Sequence, residues 1–182
     1  TTHILSNVDP LRDIEIINTE ILLADLETLE NKKISLSKKA KSGDKDILNN
    51  LDFISKIIRK INEYENIKSC NWNQKEISIL KTLNLISLKP IFYVCNVDEK
   101  SILLGNVFSD KVLKYANMEN NDSVIVSAAV ESQIADFHNI EDRTTLLKQL
   151  GLKETSLTKV IHLGYNLLNL ITFFTSGPKE TR

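Results

Sequence analysis

The sequence predicts an α/β protein with a long helical hairpin, and three observations predict it. Ile91–Cys95 is an apolar run rich in β-formers that stops at Asn96, and Ser123–Val126 is a second such run. A stretch with helical spacing, from about Asn106 to Met118, lies between them. Strand, helix, strand is a βαβ unit, and a parallel pair of this kind ends both strands at one edge. The third observation is a pair of apolar seams. Leu22, Leu26, Leu29, Leu36 and Ala40, with Lys33 intruding, are followed by Ile47, Leu51, Ile54, Ile58 and Ile61. Steps of four and three are the spacing of two helices packed side by side.

Composition narrows the classes. A chain of 182 residues with 42% hydrophobic and 26% charged residues holds a packed core, in one ordinary domain or two small ones. The net charge of −1 excludes overall steering toward nucleic acid, so no DNA specificity is expected and RNA binding would need a local patch. Cys70 and Cys95 lack metal-ligand spacing, and Cys95 reads as a small core residue. No apolar run approaches the roughly 18 residues of a membrane span and no signal peptide is present, so a cytoplasmic protein without a membrane partner is expected. Thr1-Thr2 at one end and a Gly-Pro turn near the other read as cuts through a longer protein.

Taken in order, residues 1–8 read as extended. Asp9-Pro10 opens a helix, with Asp9 as N-cap and Pro10 at its first position. Leu11, Ile14, Ile17 and Ile21 form its first apolar face, which passes into the seam at Leu22. Ser42-Gly43-Asp44 breaks the helix and turns the chain into the second arm. Lys32, Lys33, Lys38, Lys39, Lys41 and Lys45 surround that turn. They are either the solvated face of a thin hairpin or a phosphate-contacting tip for RNA. Residues 62–72 are polar and irregular. Asn73 and Glu76 form a capping-box pattern for a helix whose face is Ile77, Leu80 and Leu83, with Trp72 packed at its start. Lys89-Pro90 ends that element.

The strand Ile91–Cys95 reads as buried on both faces. In open α/β sheets ligands bind beyond the carboxyl ends of the strands, so Asn96–Glu99 is either a polar turn or a binding loop. In a parallel pair Ser127–Val130 faces the same crevice. The helix between the strands buries Val107, Val112, Leu113 and Ala116. Short helices follow at Glu131–Phe137 and Glu141–Leu150, the second closed by Gly151. Thr155 or Ser156 caps a last helix with Leu157, Val160, Ile161, Gly164, Leu167 and Leu168 on its apolar stripe. Ile171–Phe174 reads as a strand. His3, His138 and His162 have no nucleophile or metal-ligand partner at recognisable spacing, and Ser127 lacks the nucleophile-elbow glycines.

These stretches resemble the YchF/Obg-like ATPases, a branch of the translation-factor-related P-loop GTPases. The pieces that carry the resemblance are DPLRDIEIINTEILLADLETLE at 9–30, LKPIFYVCNVDE at 88–99, VSAAVESQIAD at 126–136, LLKQLGL at 146–152 and ITFFTSGPKETR at 171–182. They keep the family's order from end to end. The resemblance implies that residues 1–24 and 85–169 are the second half of a P-loop NTPase sheet with its helices. It further implies that 25–84 is an antiparallel coiled-coil insertion and that 170–182 opens a TGS domain of β-grasp fold.

The resemblance also implies roles. The guanine-reading motif of related GTPases is N-K-x-D, whose Asp accepts from guanine N1 and the exocyclic amine. Here Asn96, Val97, Asp98 and Glu99 stand in its place, an N-x-x-E form that goes with a preference for ATP, with GTP as the second nucleotide. A carboxylate cannot pair with adenine N1, which is itself an acceptor. Asn96 and the backbone at Val97 are expected to frame the base, with Ser127, Ala128 and Ala129 as the second base loop. The sequence holds no G-x-x-x-x-G-K-[ST]. The phosphate cradle, the Mg²⁺ site and the switches are therefore expected outside these residues, and this chain alone is expected not to hydrolyse ATP. The family reading implies ribosome or RNA association through the hairpin and TGS parts. The alternative is a non-enzymatic helical interaction module with a structural βαβ unit.

Overall fold

The computed structural model describes residues 8–174 and 176. Its elements are α1 (Pro10–Lys39), α2 (Lys45–Asn62), α3 (Gln74–Leu83), β1 (Phe92–Asn96), α4 (Val107–Met118), β2 (Asp122–Val126), α5 (Ala128–Asp136), α6 (Ile140–Gln149) and α7 (Ser156–Leu167). Short 3₁₀ turns cover Ala40–Ser42, Ile86–Leu88 and Glu99–Ser101. Arg12–Lys89 form one compact unit. The described residues up to Leu11 and from Pro90 onward form the other.

The helical unit is built as its spacing predicts. Helix α1 runs unbroken for 30 residues, about 45 Å at 1.5 Å per residue. Gly43 ends the turn at φ 76°, and the Asp44 side chain accepts from the Asp46 N–H to start α2. Leu29, Ile54, Ile57, Ile58 and Ile61 are buried, with Leu22, Leu26 and Leu36 packed against them. The first apolar face is not a buried one throughout, since Ile17 is 54% exposed. Asn73 and Glu76 make the capping box in full. Leu80 and Leu83 are buried as expected, but Ile79 rather than Ile77 completes the packed face of α3. Trp72 stacks edge-on against Phe53 at 5.3 Å and donates its indole N–H to the Ile67 carbonyl at 2.9 Å. Its role is packing. Lys56 pairs with Glu76 at 2.8 Å, and this bond and the capping box hold the Glu76 carboxyl below its ordinary value.

The compact helical unit runs from Arg12 to Lys89, and one buried carboxylate ties its last residues in. Asp25 is 1% exposed, and its two carboxylate oxygens accept from the N–H groups of Ile86 at 2.7 Å and Ser87 at 2.8 Å. This fastens the chain after α3 to the middle of α1, and Leu85 and Leu88 join the helical core.

In the other unit β1 and β2 pair in parallel, Phe92 opposite Asp122 through Asn96 opposite Val126. Helices α4 and α7 pack on both strands. A second cluster joins Ile102, Val130, Ile134 and Leu152, with Leu146, Leu147 and Leu150 against it. Gly105, at φ 77°, is required: a Cβ there would lie 2.5 Å from the Ser109 hydroxyl. That hydroxyl closes the Asn106–Ser109 capping box that starts α4.

Several expectations need correction. Strand β1 is not buried on both faces: Cys95 is buried but Val94 is 49% exposed, because among the described residues the face Val94 occupies is left open. Val107 is 71% exposed, and the burial of α4 rests on Ser109, Val112 and Ala116. Helix α5 starts at Ala128, three residues before the expected Glu131. Leu157, Ile161 and Leu168 of the last helix stand exposed. Ile171–Phe174 has no strand structure, with Ile171, Phe173 and Phe174 between 71% and 83% exposed. A strand needs a ladder partner, and these residues have none among the described ones. The extended stretch 1–7 and the Gly-Pro turn at 177–178 lie outside the described residues.

Replacing Asp25 with Ala removes a buried charged acceptor from two part-buried backbone N–H groups. It is expected to destabilise the helical unit by about 2 to 4 kcal/mol, read from urea unfolding followed by helical circular dichroism.

Candidate functional site

Pairing in parallel delivers the carboxyl ends of β1 and β2 to one edge. The ladder continues one step past β1, where the Val97 N–H donates to the Val126 carbonyl at 2.8 Å. This draws Val97 inward, and it is 8% exposed. Asn96 then crosses between the loops: its Oδ1 accepts from the Ala128 N–H at 3.0 Å. The loop turns next. Asp98 accepts from the Ser101 N–H at 2.9 Å and starts the turn Glu99–Ser101. Ile102 follows directly and packs on Val130 and Ile134 of α5, so an apolar contact underlies the polar one.

The second loop is shorter than it reads in the sequence. Ser127 is the N-cap residue of α5, and Ala128 and Ala129 are its first two helical residues. The first N–H groups of a helix lack intrahelical acceptors and carry partial positive charge. Ala128 and Ala129 are both exposed, and Asn96 takes the Ala128 donor. Ser127 is fully buried, and its hydroxyl has no hydrogen-bond partner. It lies beneath the edge rather than on it, so what this segment presents to solvent is the backbone at Ala128 and Ala129.

The six residues singled out from the sequence thus fall on one edge. Asn96, Val97, Ser127 and Ala128 are joined directly or through Val126. Glu99 is joined through a partner that sequence reasoning missed: Gln133 Nε2 donates to Glu99 Oε1 at 2.6 Å. Ala129 makes no side-chain contact of note; what it offers is its backbone. Asp98 reads in the sequence as part of a polar turn or a binding loop, and its bond to Ser101 makes it the turn former. Gln133 carried a fainter signal, six residues beyond Ser127 on a helix that starts at Ala128.

The electrostatics favour binding over acid–base work. Burial pushes the Cys95 thiol above its ordinary value, and burial together with Tyr115 and Glu119 does the same for the Tyr93 phenol. Both stay protonated at neutral pH. Among the described residues no group of three or more His, Cys, Asp or Glu is placed to hold a metal ion. The edge supplies an amide, a carboxylate and helix N-terminal donors. These are hydrogen-bonding groups, acceptor and donor, gathered on one edge.

Comparison with known proteins agrees with the fold. No protein-family model matches the chain. It is 41% identical to the ribosome-binding ATPase YchF of Haemophilus ducreyi, over 99% of this chain and 49% of that protein. It is 37% identical to the ribosome-binding ATPase YchF of Bacillus subtilis, over all of this chain and 50% of that one. The solved structure of the Schizosaccharomyces pombe YchF GTPase superposes with a TM-score of 0.81 at 28% identity, covering 100% of this chain and 50% of that one. The chain spans about half the length of the relatives it matches.

Replacing Asn96 with Ala removes the acceptor that holds the start of α5. The expected result is a loss of about 1 kcal/mol in stability and faster amide hydrogen exchange at Ala128, measured by NMR.

Proposed function

We propose, for a chain that belongs to the YchF family, that the intact protein binds and hydrolyses ATP in preference to GTP and associates with ribosomes in the cytoplasm. In this reading the present residues choose the base. Asn96, the Val97 backbone, Glu99 and Ser127–Ala129 are the base-recognition loops, and the phosphate-cleaving groups are not among these residues. The observation that carries the reading is the Asn96–Ala128 bond, which joins the two loops that the family resemblance assigns to the base.

ATP supplies the scissile phosphate; what these residues do is bind and orient its base. Mg²⁺, when bound, would be held by the phosphates and by groups outside this set. The domain plan follows the same reading: 1–24 and 85–169 contribute to the nucleotide-binding domain, 25–84 form the coiled-coil arm, and 170–182 open a TGS domain. The Lys-rich turn is the RNA- or ribosome-facing end of the arm. Lys32, Lys38, Lys41 and Lys45 are exposed around it, while Lys33 is half-buried in the seam.

Two measurements test this on the intact protein. In competition against a fluorescent ATP analogue, GTP is expected to displace the probe at least about tenfold more weakly than ATP, a difference of about 1.4 kcal/mol. Equal displacement overturns the N-x-x-E argument. Replacing Lys32, Lys38, Lys41 and Lys45 with Ala is expected to weaken co-sedimentation with ribosomes, most clearly at low salt. Unchanged co-sedimentation makes these lysines a solvated face.

A further inference from the structure

Glu99 is the residue on which the choice of base turns, and in this fold its carboxylate is already engaged. Its Oε1 accepts from Gln133 Nε2 at 2.6 Å, across 34 positions of chain. Gln133 sits in the second turn of α5, outside both base loops. Its helix is held firmly, since Val130 and Ile134 on either side are buried against Ile102. Glu99 and Gln133 are themselves exposed, so the bond lies where a ligand would arrive.

We infer that Gln133 is a specificity-determining residue: by holding the Glu99 carboxylate against α5, it withholds from guanine the acceptor that would recognise it. The inference rests on the reading of Asn96–Glu99 and Ser127–Ala129 as base loops.

The chemistry runs as follows. Guanine presents two adjacent donors, N1–H and the exocyclic amine, and a carboxylate accepts from both at once. Adenine presents an acceptor at N1 and gains nothing from a carboxylate there. Glu99 is one methylene longer than an Asp in its place and has more rotamers, so a free Glu99 can search for the guanine donors. A charge-assisted bond to an amide on a fixed helix removes that freedom. The other carboxylate of the loop does not substitute for it, because Asp98 is bound to the Ser101 N–H. Gln133 therefore acts through Glu99 and against GTP, without itself touching the base.

The test is to titrate the intact protein and its Gln133→Leu variant with ATP and with GTP by calorimetry. Gln133 is exposed, and leucine keeps helix propensity, so the fold is retained. The expected result is a gain in GTP affinity of about threefold to tenfold, the size of one released hydrogen bond. ATP affinity changes by less than about twofold. The gain disappears in Gln133→Leu combined with Glu99→Ala, which shows that it passes through Glu99. An ATP-to-GTP ratio unchanged by Gln133→Leu, in a protein that still prefers ATP, overturns the inference and leaves the base-loop reading intact. Absence of ATP preference in the unsubstituted protein overturns the base-loop reading itself.

Discussion

The pairing of β1 with β2 in parallel is the constraint on which the candidate site depends. An antiparallel pair would send Asn96 and Ser127 to opposite edges. In the parallel pair they arrive together, and everything after that is local. The Val97 N–H extends the ladder to Val126, Asn96 bridges to Ala128, and Ile102 packs beneath on Val130 and Ile134. Polar and apolar contacts thus tie the same two segments. A site held in this way loses little entropy when a ligand arrives, which favours selectivity over plasticity.

The helical unit is organised around a different kind of constraint. Its seam of Leu and Ile side chains gives association without a unique register. Asp25 adds the specific element, a buried carboxylate matched to two backbone donors after α3. A hydrogen bond to a charged acceptor in a buried setting costs much to break and little to keep. Lys32, Lys38, Lys41 and Lys45 stand exposed at the turn of this unit, while Lys33 is half-buried in its seam.

Much of this was legible in the sequence, for identifiable reasons. The capping box at Asn73–Glu76, the Asp9-Pro10 start and the Gly43 and Gly151 stops are short-range signals, and each lies where it was read. The seam of the hairpin was legible because its period is long and regular. What failed depended on partners distant in sequence. An apolar run does not say whether both its faces are covered, so Val94 was misplaced, and so were Val107 and the stripe on α7. Ile171–Phe174 has strand composition but no ladder partner among the described residues. At the site, Asn96 and the Ser127–Ala129 segment were found from strand ends and family resemblance. Gln133 was not, because an exposed glutamine on a helix is ordinary until a carboxylate is seen beside it. The early start of α5 was missed although Ser127 is a favoured N-cap residue followed by two alanines, because the segment reads as a loop; the Ser127 side chain itself makes no capping bond.

The central claim is that the edge formed by Asn96–Glu99 and Ser127–Ala129 receives the base of a nucleotide. Photo-crosslinking with a base-azido ATP on the intact protein, followed by peptide mapping, tests it most directly. The account predicts adducts within 96–99 or 127–129 that unlabelled ATP suppresses. Suppressible adducts confined to other segments, with none on this edge, would contradict it.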